Sequence, residues 1–168
     1  PSLYFKGPVI DLKKQDPDYA SVTTDDKIAL ARAAAGEIYG KDDRLISVSG
    51  SYGDGIDNSF MIDSQGFEGS TSSSYFSLSA SASVHGDGDA RPESYDYDTT
   101  LLFTELKKEG LGKTALEKAV QKIGQQKIKS GQYTMLVENR IAGNLLSPLI
   151  SAINGSAIQQ KSSFLLDK

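Results

Sequence analysis

The chain contains no cysteine. That excludes a disulfide, a thiolate metal site and a cysteine nucleophile. It contains one histidine, His85, so a two-histidine zinc site cannot form within a single copy. No run approaches 18 apolar residues, which excludes a transmembrane helix and sets aside a membrane partner. No secretory leader is visible at the N-terminus, so a cytoplasmic location is expected. The first residue is Pro1 rather than Met, and the chain reads as a piece of something longer. No dense Lys/Arg run occurs. The nearest approach is Lys107, Lys108, Lys113, Lys118, Lys122, Lys127 and Lys129, diluted by glutamate and glutamine. With a net charge of −4, these lysines read as solvated helix faces, and nucleic-acid binding is not expected.

What is present is a clear strand pattern. Over residues 73–84, Phe76, Leu78, Ala80, Ala82 and Val84 fall on one side. Ser73, Tyr75, Ser77, Ser79, Ser81 and Ser83 fall on the other. Period two marks a half-buried strand, and phased aromatics argue against a serine-rich linker. Twelve residues at about 3.3 Å each span roughly 40 Å, so a bend or bulge is expected inside it. Residues 45–52 alternate too, and 59–62 read as a short strand. The glycine-rich stretch 50–55 between them reads as a hairpin turn. It opens no helix, as a phosphate-cradling loop must. Asp63-Ser64-Gln65-Gly66 reads as a tight turn with Gly66 at positive φ. Phe67 starts the return strand, and Gly69 suggests a bulge or a close backbone approach.

The helices carry their own signals. Thr23 with Asp26 makes a capping box before Ile28, Ala31, Ala35 and Ile38, and Gly40 is a natural stop. A second helix is expected over 111–128 with Leu116, Ala119, Val120 and Ile123 inward. A short strand follows at 132–137. A third helical segment covers 141–153, with Ser147-Pro148 as a kink or a fresh N-cap. The chain thus divides into an extended arm, 1–22, an α+β core, 23–137, and a helical segment and tail, 138–168. Consecutive strands between helices predict an α+β fold: an antiparallel sheet, a meander with one long bent strand, flanked by helices.

Several pieces occur in order that resemble the TldD/PmbA family. They are DSQGFEG at 63–69 with the serine-rich strand, YDYD at 95–98, the helix beginning at Leu111, and TMLVENRIAGNLLSPLISAINGSAI at 134–158. The family bears the old label of modulator of DNA gyrase and includes subunits of a zinc protease. TldD-like members carry an HExxxH zinc helix. The PmbA (TldE-like) kind lacks it. At the matching positions this chain has Ser147, Pro148 and Ala152, which offer neither zinc ligands nor a general base.

The resemblance therefore implies a PmbA/TldE-like subunit fragment with no catalytic residue and no metal of its own. Zinc is expected in a TldD-like partner subunit, and an extended peptide is the expected substrate. The Ser/Tyr face (Ser73, Tyr75, Ser77, Ser79, Ser81, Ser83) is the candidate peptide-binding surface. The competing reading is a face covered by another domain or subunit. A self-contained binding module, a hydrolase using serine or carboxylates, and the gyrase link remain as alternatives. His85 beside Gly86-Asp87-Gly88-Asp89 reads as a loop histidine. The clusters Asp54/Asp57/Asp63, Asp87/Asp89 and Glu93/Asp96/Asp98 lack calcium-loop spacing and read as solvated charge.

Overall fold

A computed structural model of the chain describes residues 10–166. It divides into two compact units, Pro1–Gln126 and Lys127–Lys168. The first unit holds helix α1 (Thr24–Gly36), strands β1 (Leu45–Ile62), β2 (Glu68–Val84) and β3 (Glu93–Thr100), and helix α2 (Leu111–Val120). The second holds α3 (Asn139–Ala152) and α4 (Gly155–Gln159). The α+β expectation is met: three antiparallel strands lie in the order β1-β2-β3, with helices packed on one face.

The core lies between that face and the two helices. Phe76, Leu78, Ala80, Ala82 and Val84 are all buried, as their alternation requires. Phe76, Leu78 and Ala80 pack with Ala34, Leu106 and Leu111; Ala82 and Val84 pack with Ile38, Ala115 and Ala119. Phe76 also meets Phe103 edge-on at 5.4 Å.

β1 differs from the sequence expectation. It is one 18-residue strand, not two strands around a turn at 50–55. Gly50 pairs with Ala80, Gly53 with Ser77 and Gly55 with Tyr75 in unbroken register. The glycines serve close approach rather than chain reversal. A Cβ on Gly50 would collide with the Ala31 carbonyl oxygen of α1. A Cβ on Gly55 would meet the Tyr75 ring, 2.6 Å from Cε1. The irregularity lies at Ile46, the extra residue between the Leu45–Val84 and Ser47–Ser83 pairs. Neither Gly69 nor residues 73–84 carry a register shift.

The turn at Asp63 forms as expected. Asp63 Oδ1 accepts from the N–H groups of Gln65 (2.8 Å) and Phe67 (3.0 Å), and Gly66 has φ +89°. β3 was not read as a strand, because its inward residues are Ser94, Asp96 and Asp98 rather than apolar ones. Asp96 is 2% exposed and pairs with Lys118 Nζ of α2 at 3.1 Å.

Thr23 and Asp26 form the capping box at the start of α1. Of its expected stripe, Ile38 is buried and Ala31 and Ala35 are half-buried, so only Ile28, 43% exposed, departs, and Ala34 joins the inward side. Gly40 adopts φ +69° after the helix, as expected. α2 ends at Val120, short of residue 128; i→i−3 hydrogen bonds from Lys122 and Ile123 lead to Gly124 at φ +79°. No strand forms at 132–137, where Tyr133, Met135 and Leu136 are exposed and the segment joins no ladder. α3 runs unbroken through Pro148, so Ser147 is not an N-cap.

Residues 14–18, upstream of α1, are fastened to the sheet. Ser74 N–H donates to the Lys14 carbonyl at 3.1 Å, and Ser74 Oγ donates to the Leu101 carbonyl at 2.7 Å. Asp16, 6% exposed, accepts from the N–H groups of Asp18 and Phe103, at 2.8 and 2.7 Å.

Candidate functional site

Pairing places four of the six predicted site residues of β2 in the centre of a three-stranded polar face, and the other two, Tyr75 and Ser73, beside β1 alone. Ser83 stands between Ser47 and Glu93, Ser81 between Ser49 and Tyr95, Ser79 between Ser51 and Tyr97, and Ser77 between Gly53 and Thr99. Tyr75 lies opposite Gly55, and Ser73 opposite Asp57. Ser49 and Ser81 hydroxyls are 2.9 Å apart, and Thr99 Oγ1 donates to Ser77 Oγ at 3.2 Å. The Tyr95 and Tyr97 rings stack at 6.1 Å. Tyr75 and Tyr95 are exposed, at 42% and 63%. Sequence reasoning found the β2 row. It missed the flanking tyrosines of β3, although the alternation of Tyr95, Tyr97 and Thr99 with Ser94, Asp96 and Asp98 was there to be read.

This face offers hydroxyls and phenol rings to a ligand's side chains. It cannot offer main-chain hydrogen bonds, because N–H and C=O groups lie in the plane of the sheet. An added strand must therefore enter at an edge.

The three positions matching the zinc motif lie on α3. Ser147 Oγ donates to the Gly143 carbonyl at 3.0 Å, Pro148 has no donor atom, and Ala152 is a buried methyl. They do not fit a zinc ion, which needs imidazole, thiolate or carboxylate ligands. Among the described residues, no group of three or more His, Cys, Asp or Glu side chains could hold a metal. His85 is exposed, and its main-chain N–H donates to the Arg44 carbonyl at 2.7 Å. No described helix is long and apolar enough to cross a membrane.

A second polar group lies on the covered side, between α1 and β1. Lys27 Nζ pairs with Asp54 Oδ2 at 2.6 Å and sits 5.9 Å from the Tyr19 ring and 6.0 Å from the Tyr52 ring. The Tyr52 hydroxyl oxygen is buried and makes no hydrogen bond. Burial, then the Asp54 carboxylate, push its phenol up to about 12. The same two causes raise Tyr19. The group is built like an internal brace: Lys27 and Asp54 are 29% and 13% exposed, and moving Lys27 away would leave the Asp54 carboxylate beside two phenols.

An antiparallel sheet covered by helices on one face and lined with hydroxyls on the other defines a layered α+β domain with no metal donors at its motif positions. A family described as PmbA/TldA metallopeptidase central domain matches residues 17–123, and the chain belongs to this PmbA/TldD family. It is 29% identical over 150 residues to a protein of Haemophilus influenzae named metalloprotease PmbA homolog, covering 88% of this chain and 33% of that protein. A PmbA homolog of Buchnera aphidicola is 29% identical over 82 residues. A crystal structure from Bacteroides thetaiotaomicron, named as a candidate modulator of DNA gyrase, superposes with a TM-score of 0.91 at 52% identity. It covers 98% of this chain and 38% of that one. A Thermotoga maritima structure of the same name shares the fold, with a TM-score of 0.83 at 23% identity, covering 99% of this chain and 39% of that one. The chain spans about a third of the length of the first of these curated relatives.

Proposed function

We propose that the chain is part of a PmbA/TldE-like subunit that carries no catalytic metal and works in the cytoplasm beside a zinc-bearing TldD-like subunit in peptide processing. One observation carries this reading: at the three motif positions stand Ser147, Pro148 and Ala152, with the hydroxyl committed to a carbonyl of its own helix. The partner then supplies the zinc, the activated water and the general base. This chain supplies scaffold, with the Ser/Tyr face turned to an extended peptide or to the partner. Family membership and the length of the curated relatives support the reading.

The test is zinc content and peptide hydrolysis of the full-length protein, alone and mixed with a TldD-like protein. Expected are no stoichiometric zinc and no hydrolysis alone, with chelator-sensitive hydrolysis in the mixture. A zinc-loaded, active protein on its own overturns the proposal. The gyrase name of two structural relatives gains no support from a chain of net charge −4.

A further inference from the structure

The outer side of α1 and the segment between β3 and α2 leave a groove of about 430 Å³ between them. Val22, Asp26, Leu30 and Ala33 line it from one side, and Phe103 and Lys108 from the other. Asp26, Leu30 and Ala33 stand four and three residues apart, so they share one face of the helix. The floor is the outer layer of the core. Val22, Leu30 and Phe103 are half-buried and pack against the cluster that contains Phe76, Leu78 and Leu111. Ala33 is exposed and ends in a methyl group, which leaves the groove open above that floor.

Two charges stand at the rim, and they are not equivalent. Asp26 is committed: its Oδ2 accepts from the Thr23 N–H at 3.0 Å and from the Thr23 hydroxyl at 2.6 Å. Those bonds hold its carboxyl below the ordinary carboxylate value, so it stays charged. Lys108 is uncommitted. Its Nζ sits 4.1 Å from the centre of the Phe103 ring, and among the described residues it joins no ion pair. An ammonium resting on a ring face keeps its three N–H donors for another group.

We infer that this groove is a binding site for a small monocarboxylate with an aromatic or branched apolar body. The body rests on Val22, Leu30 and the Phe103 ring, and the carboxylate pairs with Lys108 Nζ. Apolar walls, a few polar groups and a volume within the range of about 300–1,000 Å³ are the usual make-up of small-molecule sites. Asp26 sets the discrimination. A second carboxylate on the ligand would meet its charge, so dicarboxylates are rejected. The groove lies on the helix-covered side of the sheet, opposite the Ser/Tyr face, and owes nothing to the subunit reading. Phe103 also donates its N–H to Asp16 and meets Phe76 edge-on. A ligand here therefore adds contacts to the joint that fastens residues 14–18 to the sheet, and it stabilises the folded state by mass action.

The experiment titrates the isotope-labelled full chain with hydrocinnamate, its neutral amide and phenylsuccinate, read by main-chain amide chemical shifts. Expected are saturable shifts confined to residues 22–33 and 102–108, with affinity at least about fivefold weaker for the amide and for phenylsuccinate. Lys108→Met keeps the apolar stem and removes the charge, and it is expected to lose the same factor; Lys108→Arg is expected to retain binding. Lys108 is exposed, so both variants keep the fold, and an unchanged far-ultraviolet spectrum checks this. Equal binding of acid and amide, wild-type binding by Lys108→Met, shifts scattered along the chain, or no saturation at all overturns the site.

Discussion

Single residues set the distances in this domain. Gly50 lets α1 approach the sheet to backbone contact, and Gly55 accepts the Tyr75 ring over its missing side chain. Both were misread as turn residues, because glycine beside Asp54 reads as a reversal when the helix that needs the space is unseen. Asp54 completes the confusion: a carboxylate on the inward row looks like a loop until Lys27 is found 2.6 Å away. Tyr52 gives the sharpest prediction at this scale. Its folded phenol titrates near 12, above the ordinary value of 10.0. Below pH 10 both states keep the proton and the contribution is intact. As pH rises toward 12 the unfolded chain releases its proton first, so stability falls across that window. Tyr52→Phe removes a hydroxyl with no partner. Urea denaturation is expected to show an unchanged protein, or one up to about 1 kcal/mol more stable, with a flatter alkaline limb.

At the scale of elements, legibility followed whether an element's inward row is apolar. β2 was readable because its five inward residues are apolar and buried. β3 was not, because Asp96 is buried against Lys118, a partner 22 residues away. The polar face was half legible for the same reason: the serines announced themselves, and the tyrosines of an unread strand did not. α1 was placed correctly and Ala31, Ala35 and Ile38 face inward as expected, but the tight approach at Gly50 brings Ala34 in as well and leaves Ile28 outside. α2 shows a dependence that sequence could not show. Its N-cap is Gly110, which has no side chain, and Glu37 from the end of α1 serves instead. Glu37 Oε1 accepts from Gly110 N–H at 2.5 Å and Oε2 from Lys113 N–H at 3.2 Å. Glu37→Ala is expected to cost about 1–2 kcal/mol in urea denaturation, and Glu37→Gln, which keeps one acceptor oxygen, about half as much.

At the scale of the whole molecule, the two units contrast in how they use apolar residues. The first encloses them between sheet and helices. The second exposes them along α3, where Leu145, Leu146, Leu149 and Ile150 are 57%, 57%, 47% and 61% exposed. A contiguous apolar stripe of this kind recruits hydrophobic probes. Strong anilinonaphthalene-sulfonate fluorescence from the folded chain is expected, and Leu145→Ser with Leu149→Ser is expected to lower it at least severalfold without altering the far-ultraviolet spectrum. A dim wild-type signal would mean that the stripe is covered in solution. The sequence displayed this stripe plainly, but which surface meets it is a property of the chain's surroundings, not of its periodicity.

The Asp63 turn has a kinetic corollary. It joins the two longest strands with only five residues, 63–67, between them, and their partners then follow pair by pair without a slip until Ile46. Closing so short a loop costs little entropy, and each later pair needs only a small additional search. The ribbon can therefore zip outward from its tip while the ribosome is still adding residues beyond 84. β3 and α2 would then dock onto a template that already exists.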